Sequence, residues 1–203
     1  MSALLPLFPL DLVLFPGTPL PLHIFEPRYR EMVSECLDSK QPFGVVRAKE
    51  QELAEIGCTA EIISVAQKYP DGRMDIVTEG RRRFEVMQLN QERSFLRAEV
   101  FYLEDGSDTA SEPEIERALE LQREIMALAG ATPQKSSEID PLQLSFHLAA
   151  SLPLDLDFKQ TLLGMKSEAQ RLRAVISFFE NILPTMRRTT YVRHKAGGNG
   201  HGG

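Results

Sequence analysis

Apolar residues in the first hundred positions come in short runs broken by proline, glycine and charge, a spacing that suits strands better than helices. Residues 4–14 and 19–25 are two such runs, parted by the turn Pro16-Gly17-Thr18. Their prolines cannot donate to a ladder, which places these runs at sheet edges, strand ends or bulges. A helical pattern follows Pro27, which suits a first turn. Tyr29, Met32, Val33, Cys36 and Leu37 then recur on one helical face. Residues 43–46 and 58–67 are apolar and β-branched, hence strands. In Tyr69-Pro70-Asp71-Gly72, proline presets φ, aspartate bonds the local backbone and glycine allows a positive φ. The alternation over 74–79 then completes a hairpin with 58–67. Residues 84–89 read as a further strand. In 96–102, Leu96, Ala98, Val100 and Tyr102 alternate with Arg97, Glu99 and Phe101, so Phe101 falls off the inward face.

The period changes after residue 103. Residues 104–111 are acidic and small and read as a linker. Ser111 and Glu114 fit a capping box, and Ile115, Ala118, Leu119, Gln122, Ile125, Met126 and Ala129 form one stripe that Gly130 closes. A second helix opens at Asp140-Pro141 and stops at Pro153, and a third runs from Asp155 to Gly164. The last begins at Ser167, with Leu172, Val175, Ile176, Phe179, Ile182 and Leu183 facing in; Pro184 should end or kink it. The expected organisation is a β-rich part over 1–103, a helical bundle over 112–186, and a flexible basic, glycine-rich tail over 187–203.

Charge follows the same division. Of 29 acidic and 23 basic residues, 18 and 12 lie in residues 1–110, so the net charge of −6 belongs to the β-rich part together with the acidic linker that follows it. That balance weighs against nucleic acid held by bulk charge. No run of about 18 apolar residues exists to span a membrane. The apolar N-terminus lacks the basic region of a signal peptide. Two cysteines, Cys36 and Cys58, suit a reduced cytoplasmic setting and structural roles.

Catalytic signatures are missing. No glycine precedes a lysine, so a phosphate-binding G-x-x-x-x-G-K-[ST] loop cannot form. Neither G-x-S-x-G nor S-x-x-K occurs. His23 and Glu26 are two potential ligands without a third, which makes no zinc site. His147 reads as structural. No cofactor or metal is expected. Arg81-Arg82-Arg83 is the one basic run outside the tail, and on a strand Arg82 would face away from its neighbours.

Three blocks in order carry a resemblance. LPLFPLDLVLFPGTPLPLHIFEPRYREMV (4–33) resembles the opening of the Lon protease N-terminal domain, its HIFEPRYREM portion in the variant found in stand-alone Lon-domain proteins and in Lon domains fused to other modules. IGCTAEIISVAQKYPDGRMDIVTEGRRRFEV (56–86) is similar to the family's second block, and residues 140–179 to its helical part. The resemblance implies an α+β fold, a PUA-like, partly closed β-barrel followed by a helical bundle. It implies a non-enzymatic module without the ATPase or Ser–Lys protease of Lon, binding unfolded or damaged polypeptides in protein quality control or proteolysis. The partners it implies are such polypeptides, a separate protease and further copies in a homo-oligomer. Apolar capture needs an exposed apolar patch. Its candidates are Phe15, Phe25 and Tyr29 near the barrel entrance and Phe101, with Glu26, Arg28 and Arg30 as a polar rim. The alternative is an RNA-binding PUA-like protein, with Arg81, Arg82 and Arg83 as the anion contacts.

Overall fold

A computed structural model describes residues 4–50, 52–131 and 140–198, with side chains as far as residue 189. Among these residues the chain forms β1 (Leu5–Leu10), β2 (Pro19–Ile24), α1 (Pro27–Ser39), β3 (Phe43–Lys49), β4 (Glu52–Lys68), β5 (Met74–Asn90) and β6 (Arg97–Tyr102). Next come α2 (Glu112–Leu128), a 3-10 turn (Pro141–Gln143), α3 (Leu144–Ala150), α4 (Leu156–Gly164) and α5 (Glu168–Gly198). Two compact units result, one of residues 1–105 and 153–166, the other of 106–152 and 167–203.

The first unit is a sheet that curls onto itself. The strand order is β2-β5-β4-β3-β1-β6, and β6 also pairs with β5. Closure depends on the length of β5. Residues 74–79 bind β2, and residues 84–90 bind β6. All pairings are antiparallel except β1 with β3. β4 and β5 are each 17 residues long. The separate short strands expected at 58–67, 74–79 and 84–89 are therefore parts of two continuous ribbons, which bulges bend rather than break. Leu5, Leu7, Val46, Phe84 and Ala98 fill the interior. Phe84 leaves no space beside Gly44 or Gly57, where a Cβ would meet its ring at 2.6 Å. α1 buries Tyr29, Met32, Val33 and Cys36, the face its spacing predicted.

α4 departs from the expected boundary of the helical bundle at 112–186, because it belongs with the strands. Arg83, 3% exposed, donates to the carbonyls of Leu163 and Met165 at 2.6 Å each, where α4 ends. A cation satisfying the last carbonyls suits that end of a helix. Gln160 donates to the Ile56 carbonyl at 2.9 Å, and Arg47 meets Asp157 at 2.6 Å.

In the second unit, α2 and α3 pack on α5. The core there includes Ala118, Leu121, Phe146, Leu172, Val175 and Phe179. α5 runs through Pro184 to Gly198, whereas the sequence leads one to expect an end or a kink at the proline and a flexible tail after it. Leu183 is buried, and beyond the proline Arg187 reaches Glu124 of α2 at 2.7 Å. This packing offsets the missing backbone donor. Residues 199–203, the rest of the expected tail, lie outside the described residues.

Candidate functional site

β2 lies at the edge of the sheet, and its pairing with β5 builds a surface cluster. Ile24 opposes Met74, and both are buried. Its neighbour His23 therefore turns to the other face, opposite Asp75. A carboxylate can only accept, so His23 Nδ1 donates to Asp75 Oδ1, at 2.6 Å. Tyr69 Oη donates to the other carboxylate oxygen at 2.7 Å. These two bonds, His23's first, hold the Asp75 carboxyl below its ordinary pKa. The bond to Asp75 likewise raises the Tyr69 phenol.

Tyr69 is placed by the hairpin turn. Gly72 takes φ +84° and its N–H donates to the Tyr69 carbonyl at 3.0 Å. Arg73 Nε donates to Asp71 at 2.7 Å, and its guanidinium lies 5.2 Å from the Tyr69 ring centroid. From α1, Arg30 donates to the Asp71 carbonyl. The turn is thereby held from two sides.

Phe25 crowns this cluster. Its ring stacks on His23 at 5.9 Å and 21°, and Tyr69 meets the same imidazole edge-on at 5.9 Å. Phe25 stays 58% exposed. Glu26 precedes α1, and Arg28 Nε donates back to it at 2.9 Å. The border thus holds Arg28, Arg30 and Arg73 against Glu26, Asp71 and Asp75, a balanced set around an apolar face.

The structure gathers Phe25, Glu26, Arg28 and Arg30 from the sequence candidates and removes two others. Phe15 is 1% exposed. Its carbonyl sits where a Cβ on Gly80 would lie only 2.1 Å away, so the loop before β2 is pressed flat against β5. Tyr29 is buried on the inward face of α1, its ring 4.1 Å from that of Phe8. Phe101 is exposed but distant along the sheet. It faces Glu85, whereas Ile24 beside Phe25 faces Met74. The separation is eleven residues of β5, about 35 Å of strand.

The arginine run does not form a basic strip. Arg81 pairs with Glu61 and Glu79 at 2.5 Å each. Arg83 is buried and also bonds Asp105. Arg82 is exposed with its guanidinium 3.9 Å from the Tyr102 ring centroid. Simple alternation fails here because a register shift leaves Arg81 and Arg82 unmatched between the pairs Ala60–Gly80 and Cys58–Arg83.

Sequence reasoning set His23 beside Glu26 and missed Asp75 and Tyr69. The alternation of 74–79 and the P-D-G turn gave their local structure, but the β2–β5 pairing spans fifty-two residues. Both cysteines are free and buried, and burial pushes Cys36 up to about 11 and Cys58 up to about 12. Among the described residues, no group of three or more His, Cys, Asp or Glu side chains could hold a metal, and no helix is long and apolar enough to cross a membrane.

Comparison with known proteins places this architecture. The family model described as the ATP-dependent protease La (LON) substrate-binding domain matches residues 4–181. The chain is 31% identical over 121 residues to a Lon protease of Parabacteroides distasonis, covering 55% of this chain and 15% of the relative. It is 27% identical over 186 residues to Lon protease 1 of Hydrogenovibrio crunogenus, covering 84% of this chain and 23% of the relative. The match therefore spans less than a quarter of either relative. Among solved structures, a Lon N-terminal domain protein from Xanthomonas campestris superposes with a TM-score of 0.70 at 27% identity, over 86% of this chain and 98% of that one. The N-terminal domain of a Mycobacterium avium complex Lon protease gives 0.63 at 18% identity, covering 88% and 98%, a likeness of fold.

Proposed function

We propose, because the chain belongs to the ATP-dependent protease La (LON) substrate-binding domain family, that it binds polypeptide segments exposing apolar side chains and does so without catalysis of its own. The observation that carries this reading is Phe25. It stands 58% exposed while its neighbour Ile24 is 1% exposed. Its ring is oriented by an imidazole that Asp75 and Tyr69 hold in place. Such an aromatic is ordered before any partner arrives, so binding to it loses little side-chain entropy. The paired charges around it offer donors and acceptors to a partner backbone. Folded proteins seldom expose large apolar patches and unfolded or damaged ones do, so this surface would favour the latter. In the cell the module would serve protein quality control in the cytoplasm and present captured segments to a separate protease. Several copies in a homo-oligomer would raise avidity without new contacts.

The test is a titration of a labelled, permanently unfolded polypeptide, and in parallel a labelled single-stranded RNA, into the wild type and Phe25→Ser. Polypeptide binding should survive added salt and weaken about tenfold in the variant, the scale of one lost aromatic anchor. Equal binding by both proteins would sink the role of Phe25. Salt-sensitive RNA binding with no polypeptide binding would favour the nucleic-acid reading.

A further inference from the structure

The outer face of the β5–β6 ribbon carries a second apolar surface with a different electrical character. Val86, Val100 and Tyr102 pack against the barrel interior, so their neighbours Glu85, Glu99 and Phe101 point outward. Glu85 and Phe101 are directly opposed, and Gln88 opposes Glu99. Between Val86 and Gln88 the register slips by one residue, leaving Met87 without a partner position on β6. A bulge of this kind re-aims a side chain. Met87 is 63% exposed and Phe101 59%. The ribbon thus presents a flexible thioether and a phenyl ring, which together adapt to varied apolar partners.

Two carboxylates flank these residues, and among the described residues no ion pair engages Glu85 or Glu99. Nearby cations are occupied. Arg97 bonds Asn90 at 3.2 Å and lies 3.7 Å from Glu92, and Arg82 lies over Tyr102. The charges bordering Phe25 balance in number, three basic against three acidic, whereas this surface has negative charge to spare. A second copy of the chain would bring carboxylates to carboxylates here, and RNA would bring phosphates.

We propose that the outer face of the β5–β6 ribbon, built on Met87 and Phe101 between Glu85 and Glu99, docks polypeptide segments that combine large apolar residues with lysine or arginine. This deepens the polypeptide-binding reading and rests on it. With about 35 Å of strand between the two surfaces, one long unfolded chain could occupy both, the second contact being made at high effective concentration.

The experiment uses the ¹⁵N-labelled 203-residue chain and three disordered peptides with the same leucine spacing, bearing lysine, glutamate or serine between the leucines. The lysine peptide should bind about fivefold tighter than the glutamate peptide, since exposed charge pairs each contribute a small factor. It should shift amides at 85–88 and 99–101, and the preference should vanish at about 0.5 M salt. The isosteric Glu85→Gln/Glu99→Gln variant should level the two affinities. Met87→Ser/Phe101→Ser should abolish the ribbon shifts while those around Phe25 persist. Equal affinity for lysine and glutamate peptides, shifts confined to the Phe25 cluster, or a preference that survives the glutamine variant would each overturn the proposal and leave the Phe25 reading standing. If none of the peptides binds anywhere, the polypeptide reading fails and this one with it.

Discussion

Arg83 holds three partners at once. Its donors satisfy the carbonyls of Leu163 and Met165 and the Asp105 carboxylate, joining β5 to the end of α4 and to the chain just after β6. In sequence it is the third member of a basic run. In the fold it is a buried group whose loss would take a donor from the Leu163 and Met165 carbonyls. Arg83→Met should lower stability by about 3 kcal/mol, the scale of removing one partner from a buried charged network. Urea unfolding reads this directly, with a falling midpoint. Glu114 is the opposite case, a half-buried surface carboxylate tuned by neighbours. The Arg173 guanidinium, then the Ser111 hydroxyl and backbone N–H, hold it at about 2. A depressed folded pKa means that its contribution is complete above the ordinary carboxylate range and is lost as pH falls toward 2. In Arg173→Gln, a carbon-13 NMR titration of Glu114 should move toward 4.5, its unperturbed value.

At the scale of elements, legibility tracks the sequence separation of the contacts that make each one. α1 was readable from its apolar spacing and Pro27, both local. The hairpin turn at 69–72 and the Ser111–Glu114 cap were readable for the same reason. The parallel β1–β3 pairing and the β2–β5 pairing were not, because strand patterning names a face and not a partner. The candidate site divides likewise: Phe25, Glu26, Arg28 and Arg30 are contiguous in sequence, whereas Asp75, Tyr69 and Arg73 arrive on another element. Another long-range joint lies in the helices. Glu168 at the start of α5 accepts from the Ser145 N–H at 2.8 Å and its hydroxyl at 2.7 Å, and from Arg171 at 2.7 Å. All three side chains are at most 1% exposed, and Arg171 also covers the Phe146 ring at 4.2 Å. Glu168→Ala should destabilise by about 3–5 kcal/mol, because it leaves Arg171 buried without its carboxylate. The double variant Glu168→Ala/Arg171→Met should recover part of that loss. Full additivity of the two single changes in thermal unfolding would contradict the coupling.

For the whole molecule, the discontinuity of the first unit matters most. Residues 153–166 return to the strands after the chain has built part of the helical unit. No periodicity could announce this, since α4 looks like any other short helix until its acceptors are matched with Arg83 and Arg47, and its Gln160 amide with the Ile56 carbonyl. The polypeptide-binding surfaces proposed above both lie on this first unit, so a minimal fragment cannot simply stop at the acidic linker. A fragment of residues 1–110 would lack Leu163 and Met165, depriving Arg83 of these two carbonyl acceptors, and would expose the Ile56 side that Gln160 and α4 cover. Cys58 gives a readout. It is fully buried and its thiol is pushed up to about 12, so it should resist a thiol reagent at pH 8 in the whole protein. In the 1–110 fragment Cys58 should label rapidly, with poor amide dispersion. Joining residues 153–166 to that fragment through a Gly/Ser linker should restore protection of Cys58 and, with it, polypeptide binding at Phe25. Fast labelling in the joined fragment, or full protection in the unjoined one, would show that α4 is not what shields this part of the barrel.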